Sequence, residues 1–159
     1  MYDTEQLFSM KAGTTTLGIA ETVWRVAVGQ PRRMLRLFSS RIAAGFPSPA
    51  DDHLEGPLDL NAYLAPHPAA TFVVRVTGDS MVRAGIRDGD LLVVDRAREA
   101  ASGAIVVAVV DGELTVKRLR VGREGIRLEA ENPAYPPIVV HEHTELVIWG
   151  VVAHAIRSY

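Results

Sequence analysis

The stretch AIVVAVVDGELTVKRLR, residues 104–120, decides the fold. Residues 104–110 are small or β-branched apolar side chains without interruption. Asp111-Gly112 follows, and then 113–120 resumes a β-prone pattern. An Asp-Gly pair between two such runs signals a two-residue hairpin, because both turn positions need positive φ. Alternate residues of a strand share a face. Leu114, Val116 and Arg118 therefore point one way, and Thr115, Lys117 and Leu119 the other. Lys117 sits beside a very apolar partner strand. Two readings stand at this point. A lysine at a sheet edge blocks aggregation. A lysine on a buried face loses its charge to desolvation, and its neutral amine is then a competent general base.

Working outward, residues 71–76, 91–95, 125–130 and 145–156 also read as strands, the last ending in Leu-Val-Ile-Trp-Gly-Val-Val. Short strands at close spacing predict a mainly β domain, a curled sheet or small barrel. Residues 58–64 have the makings of one helical turn. Upstream, 43–69 carries Pro47, Pro49, Pro57, Pro66 and Pro68, so it reads as extended and poorly laddered. Residues 1–40 show no clean period. Within them, 14–28 is rich in Thr and Val and can pair as a strand, and 34–38 is a short apolar patch able to dock. The expected organisation is an extended N-terminal arm over 1–44, a linker over 45–57 and a β domain over 58–159.

The totals set limits. With 48% hydrophobic and 23% charged residues, the 159-residue chain has ordinary globular composition, enough for one domain plus an arm. The absence of cysteine rules out a disulfide framework, a thiol nucleophile and a zinc-thiolate site. It suits a reducing compartment, and a cytoplasmic location is expected. The N-terminal segment MYDTEQLFSMKAG does not read as a signal peptide. No run approaches the ~18 apolar residues of a membrane-spanning helix. Residues 1–44 hold six basic side chains against three acidic, and the remainder eleven against sixteen. The basic charges of the arm are scattered, not clustered as a nucleic-acid footprint requires.

Chemistry is most readable at Val76-Thr77-Gly78-Asp79-Ser80-Met81. A strand ends, a glycine permits a bend, and a hydroxyl follows at the rim of the sheet. Nearby backbone N–H groups are placed to hold an oxyanion. The segment is not a G-x-S-x-G elbow, since position 82 is valine. A plain turn serine fits the same residues. His141 and His143 have the spacing of a strand face, without a third metal ligand nearby. His53, His67 and His154 have no readable partner, and a Ser-His-Asp triad ranks below a Ser-Lys pair. No phosphate loop or dinucleotide fingerprint is present, and no cofactor is expected.

Read together, four stretches carry more than any one alone: Gly78-Asp79-Ser80-Met81, GIRDGDLLVVD at 85–95, Gly103-Ala104-Ile105-Val106 and VVDGELTVKRL at 109–119. Their order and spacing resemble the self-cleaving UmuD and LexA family of Ser-Lys peptidases, over residues 43–156. Ala44-Gly45-Phe46-Pro47-Ser48-Pro49-Ala50, the run 58–61 and the run 132–138 bring the likeness closer to the UmuD branch. The resemblance implies a LexA-like peptidase domain and a scissile bond between Ala44 and Gly45. It implies Ser80 as nucleophile, Lys117 as general base and the backbone of Asp79 and Ser80 as oxyanion donors. It further implies cleavage stimulated by a RecA filament on single-stranded DNA in the SOS response to DNA damage. The trimmed homodimer would serve as accessory subunit of a UmuC-type translesion polymerase. A LexA-type repressor is the first alternative. About forty residues without helical period precede the cleavage segment, so sequence-specific DNA binding is not expected. A non-cleaving dimeric β module is the second.

Overall fold

The structure is a computed structural model that describes residues 24–25, 34–38 and 54–159. Ala44 and Gly45, and with them the expected cleavage segment, lie outside the described residues, as does most of the arm. The chain is mainly β. In order run β1 (Trp24–Arg25), β2 (Met34–Phe38), β3 (Leu54–Asp59), α1 (Leu60–Leu64), β4 (Thr71–Arg75), β5 (Leu91–Asp95), β6 (Ile105–Val110), β7 (Glu113–Gly122), β8 (Gly125–Glu129), β9 (Ile138–Val140) and β10 (Leu146–Ile156). Eight of these form one antiparallel sheet in the order β1-β4-β5-β10-β6-β7-β8-β9, and β2 pairs with β3.

The hairpin read at 104–120 is present. Val110 pairs with Glu113 across Asp111 and Gly112, whose φ angles are +49° and +86°. β6 is apolar along its whole length because both its faces are covered. Val107 belongs to one core cluster with Phe72, Val74, Met81 and Leu92, whereas Val106, Ala108 and Val110 belong to a second with Leu119 and Leu128.

That first cluster also reveals the curl. Phe72 and Val74 of β4 share it with Val107 of β6, and Val116 of β7 packs against it. In a flat sheet of this order β4 and β7 stand four strand spacings apart, about 19 Å at ~4.8 Å each. The sheet therefore folds over the cluster, as the expectation of a curled sheet requires. β10 makes the fold-over possible. Its first half pairs with β6, from Leu146 opposite Val110 to Val151 opposite Val106, and its second half pairs with β5. Register irregularities at Ile148/Gly150 and Val152/His154 mark the bend. Trp149 stands edge-on to Phe72 with centroids 5.0 Å apart, across the inside of the curl.

Two features depart from the reading of the sequence. Leu54–Asp59 forms a strand with Met34–Phe38, so the apolar patch docks on residues expected to be linker. Pro57 is tolerated there because, among the described residues, that sheet has two strands and each is an edge. The helical turn begins at Leu60 and not at 58, since Asp59 caps it by accepting from the amides of Asn61 at 3.0 Å and Ala62 at 3.2 Å. Of the strand considered over 14–28, Trp24–Arg25 is described, laid against Val73 and Phe72 of β4.

Candidate active site

Ser80 lies in the loop leaving β4, and three contacts fix that loop. The Val76 amide donates to Asp90 O at 2.8 Å, the Gly89 amide to Val76 O at 2.9 Å, and the Gly78 amide to Asp88 Oδ1 at 2.8 Å. The turn comes at Gly78, whose φ of +88° favours glycine. On the far side of Ser80, Met81 is 2% exposed and fills the first core cluster. Residues Val82–Ala84 then form a single 3-10 turn. The serine is thus held between a hydrogen-bonded strand end and a buried anchor.

Lys117 arrives from β7. Lys117 pairs with Val106 of β6 and stands one residue before the β8 pairing begins at Arg118, yet it is only 8% exposed, and this burial corrects the reading of a solvent-facing edge lysine. Its Nζ is 3.0 Å from Ser80 Oγ. It also donates to Thr115 Oγ1 at 3.0 Å and to Val116 O at 3.1 Å. Burial pushes the Lys117 pKa below the ordinary lysine value. A neutral amine has two N–H bonds and one lone pair. With the amine neutral, Thr115 Oγ1 and Val116 O can accept its two protons, and the lone pair is then free for the Ser80 hydroxyl. The alternation of β7 had already put Thr115 on the face of Lys117; its role as an acceptor was not read from the sequence.

Both groups open into a cavity of about 300 Å³ whose walls include Val74, Val76, Val107 and Val116. Beneath Ser80, the amides of Asp79 and Ser80 donate to no acceptor among the described residues. A second loop reaches this place from the other end of the sheet. Asn132 Nδ2 donates to Asp79 O at 3.1 Å, the Tyr135 hydroxyl donates to Asp79 Oδ1, and the Arg83 amide donates to Glu131 O at 2.9 Å. These contacts escaped the sequence, where Asp79 and Tyr135 stand 56 positions apart.

The histidines lie elsewhere. His67 Nδ1 is 2.8 Å from Asp95 Oδ2, and His154 stacks on Tyr63 with centroids 5.3 Å apart. Burial alone would raise the Asp95 pKa, but hydrogen bonds from His67 and the Ala97 amide hold it below the ordinary value. His141 and His143 are exposed, and none of the four lines the cavity.

A curled antiparallel sheet carrying a serine and a buried amine in hydrogen-bond contact has its counterpart among known proteins. Residues 36–153 match the Peptidase S24-like family, and the chain belongs to it, which makes it a serine peptidase of the self-cleaving class. Among individual relatives, Protein SamA of Salmonella typhimurium strain LT2 is 52% identical over 125 residues, covering 77% of this chain and 86% of SamA. Protein ImpA of Escherichia coli is 47% identical over 122 residues, 76% of this chain and 82% of ImpA. LexA repressor 1 of Xanthomonas oryzae pv. oryzae is 48% identical over 119 residues, which is 74% of this chain but 58% of that repressor. Among the described residues, no helix is long and apolar enough to cross a membrane.

Proposed function

We propose that the chain cleaves itself between Ala44 and Gly45 with Ser80 as nucleophile and Lys117 as general base. The observation that carries this reading is the 3.0 Å contact between Ser80 Oγ and the Nζ of a buried lysine. Lys117 takes the Ser80 proton as Oγ bonds to the Ala44 carbonyl carbon. The amides of Asp79 and Ser80 stabilise the resulting oxyanion. The C–N bond then breaks, and the proton held by Lys117 passes to the Gly45 amine. Water, deprotonated by the same lysine, releases the acyl group from Ser80. Small residues at Ala44 and Gly45 let the backbone enter a narrow cleft. The tether supplies the substrate at high effective concentration.

The trimmed chain, 45–159, acts as a homodimeric accessory subunit of a UmuC-type translesion polymerase, after cleavage stimulated by a RecA filament on single-stranded DNA. The resemblance set out above supports this. The test is intact mass after incubation near pH 7 and near pH 10, where an ordinary lysine approaches its pKa. Wild type is expected to split between Ala44 and Gly45, faster at the higher pH, with Ser80→Ala intact. A wild-type chain that stays whole even with RecA filaments added overturns the proposal.

A further inference from the structure

The loop carrying Asn132 and Tyr135 touches the nucleophile's loop and not the nucleophile. Asp79, directly before Ser80, is gripped at two places. Its carbonyl oxygen accepts from Asn132 Nδ2 at 3.1 Å, and its carboxylate accepts from the Tyr135 hydroxyl, with Asn132 Nδ2 a further 3.4 Å from Oδ2. Asn132 is itself held, since its Oδ1 accepts from the Ala134 amide at 3.1 Å. Tyr135 also lines the cavity. The peptide plane following Asp79 carries the Ser80 amide, so a grip on Asp79 O sets the direction of that N–H and the origin of the Ser80 side chain.

We propose that residues 132–135 form a clamp in which Tyr135 and Asn132 act as positioning residues, holding Asp79 so that Ser80 Oγ faces Lys117. The proposal rests on the reading of Ser80 and Lys117 given above.

The clamp has a consequence for pH. At ordinary values, lysine near ~10.4 and tyrosine near ~10 ionise together. The base would then become available just as the phenol lost its proton and was repelled by Asp79. The site separates the two events. Burial lowers Lys117, while the hydrogen bond to Asp79 and the charge of that carboxylate raise Tyr135. Of the charged groups around them, three are engaged and a fourth, Arg83, stands on the 3-10 turn that follows Ser80, with its amide on Glu131 O. Arg75 donates to Gly89 O, Asp88 accepts from the Gly78 amide, and Glu131 pairs with Arg118. The neutral base appears as pH rises through the lowered lysine pKa. The clamp persists until pH passes the raised tyrosine pKa. Cleavage is fastest between the two.

Two measurements test this on the full chain. The first is the first-order cleavage rate, by intact mass, from about pH 6 to about pH 12, a span that brackets both ordinary values. Wild type is expected to show a rising and then a falling limb. Tyr135→Phe should cleave about 10- to 100-fold more slowly at the optimum, as a displaced nucleophile does, and should lack the falling limb. Asp79→Asn should move that limb to lower pH. A merely structural role would lower the rate equally at every pH. The second is NMR titration of ring-labelled tyrosine in uncleavable Ser80→Ala protein, with the Tyr135 signal assigned by its loss in Tyr135→Phe. Adding Asp79→Asn should let Tyr135 ionise at lower pH. A Tyr135→Phe profile superimposable on wild type, or a phenol titration indifferent to Asp79, overturns the clamp. If wild type never cleaves, the reading of the active site fails instead, and the phenol titration alone decides whether the clamp exists.

Discussion

At the scale of the residue, Lys117 carries a cost that its proposed role explains. Its amine is buried and its pKa is lowered for that reason. In the unfolded chain the amine keeps its proton up to the ordinary value near ~10.4. Between the lowered folded value and that one, the unfolded state binds more protons, so stability rises with pH. Below the folded value the destabilisation is fully present. Lys117→Met keeps the length and removes the charge. The variant is expected to melt a few degrees above wild type at neutral pH, with the gap closing towards about pH 10. Melting curves across that range check it, and a gap independent of pH would remove desolvation as the cause. Part of this was legible: strand alternation placed Lys117 with Thr115, whereas a plain turn serine fitted Ser80 equally well on local sequence, and the resemblance singled the two residues out. The grip on Asp79 was not legible, because hydrogen bonds between loops 53 and 56 residues apart leave no periodic trace.

At the scale of the element, β6 and β7 were readable because an Asp-Gly turn and two opposed apolar patterns constrain one another. β9 was missed: its three residues, Ile138–Val140, follow Pro136 and Pro137 and are too few to show alternation. Residues 54–57 of β3 were read as linker because Gly56 and Pro57 argue against an inner strand, and the pairing of β3 is set by β2, not by its own pattern. The bend of β10 was equally hidden. It depends on Gly150, where an added Cβ would stand 2.8 Å from Val94 Cγ1 and 3.1 Å from Asp95 O. The backbone oxygen belongs to Asp95, which pairs with Val151, so its retreat strains the β5 pairing. Gly150→Ala is expected to destabilise by about 1–3 kcal/mol, as overpacking does. Urea unfolding measures it, and a neutral result would show that the two strands separate freely at the bend.

At the scale of the whole molecule, the segment after β10 is fastened across the fold. Asp90, 2% exposed, accepts from Arg157 Nε at 2.7 Å, from Arg157 Nη2, and from the Arg87 amide at 2.8 Å. Arg157 also donates to Gly85 O at 2.8 Å. The Arg157 hydrogen bond is the main cause holding the Asp90 carboxyl below the usual carboxylate range. A depressed carboxylate contributes stability above its unfolded pKa and loses it as pH falls through the folded value. Arg157→Ala is therefore expected to melt several degrees lower at neutral pH and to lose less on acidification below about pH 4. Thermal melts at both pH values test this, and parallel acid dependence in the two proteins would exclude the ion pair as the source.

The position of β10 has one more consequence, and it concerns the order in which the protein is made. Ser80 belongs to the portion of sheet built from β4 and β5, and Lys117 to that built from β6 through β9. Among the described residues only β10 pairs with both portions, and its residues leave the ribosome after all the others in the sheet. Such late, non-local pairing is slow. A nascent chain holding both Ser80 and Lys117 thus still lacks the strand that pairs with both portions, and the proposed cleavage between Ala44 and Gly45 is expected to wait until β10 has been made.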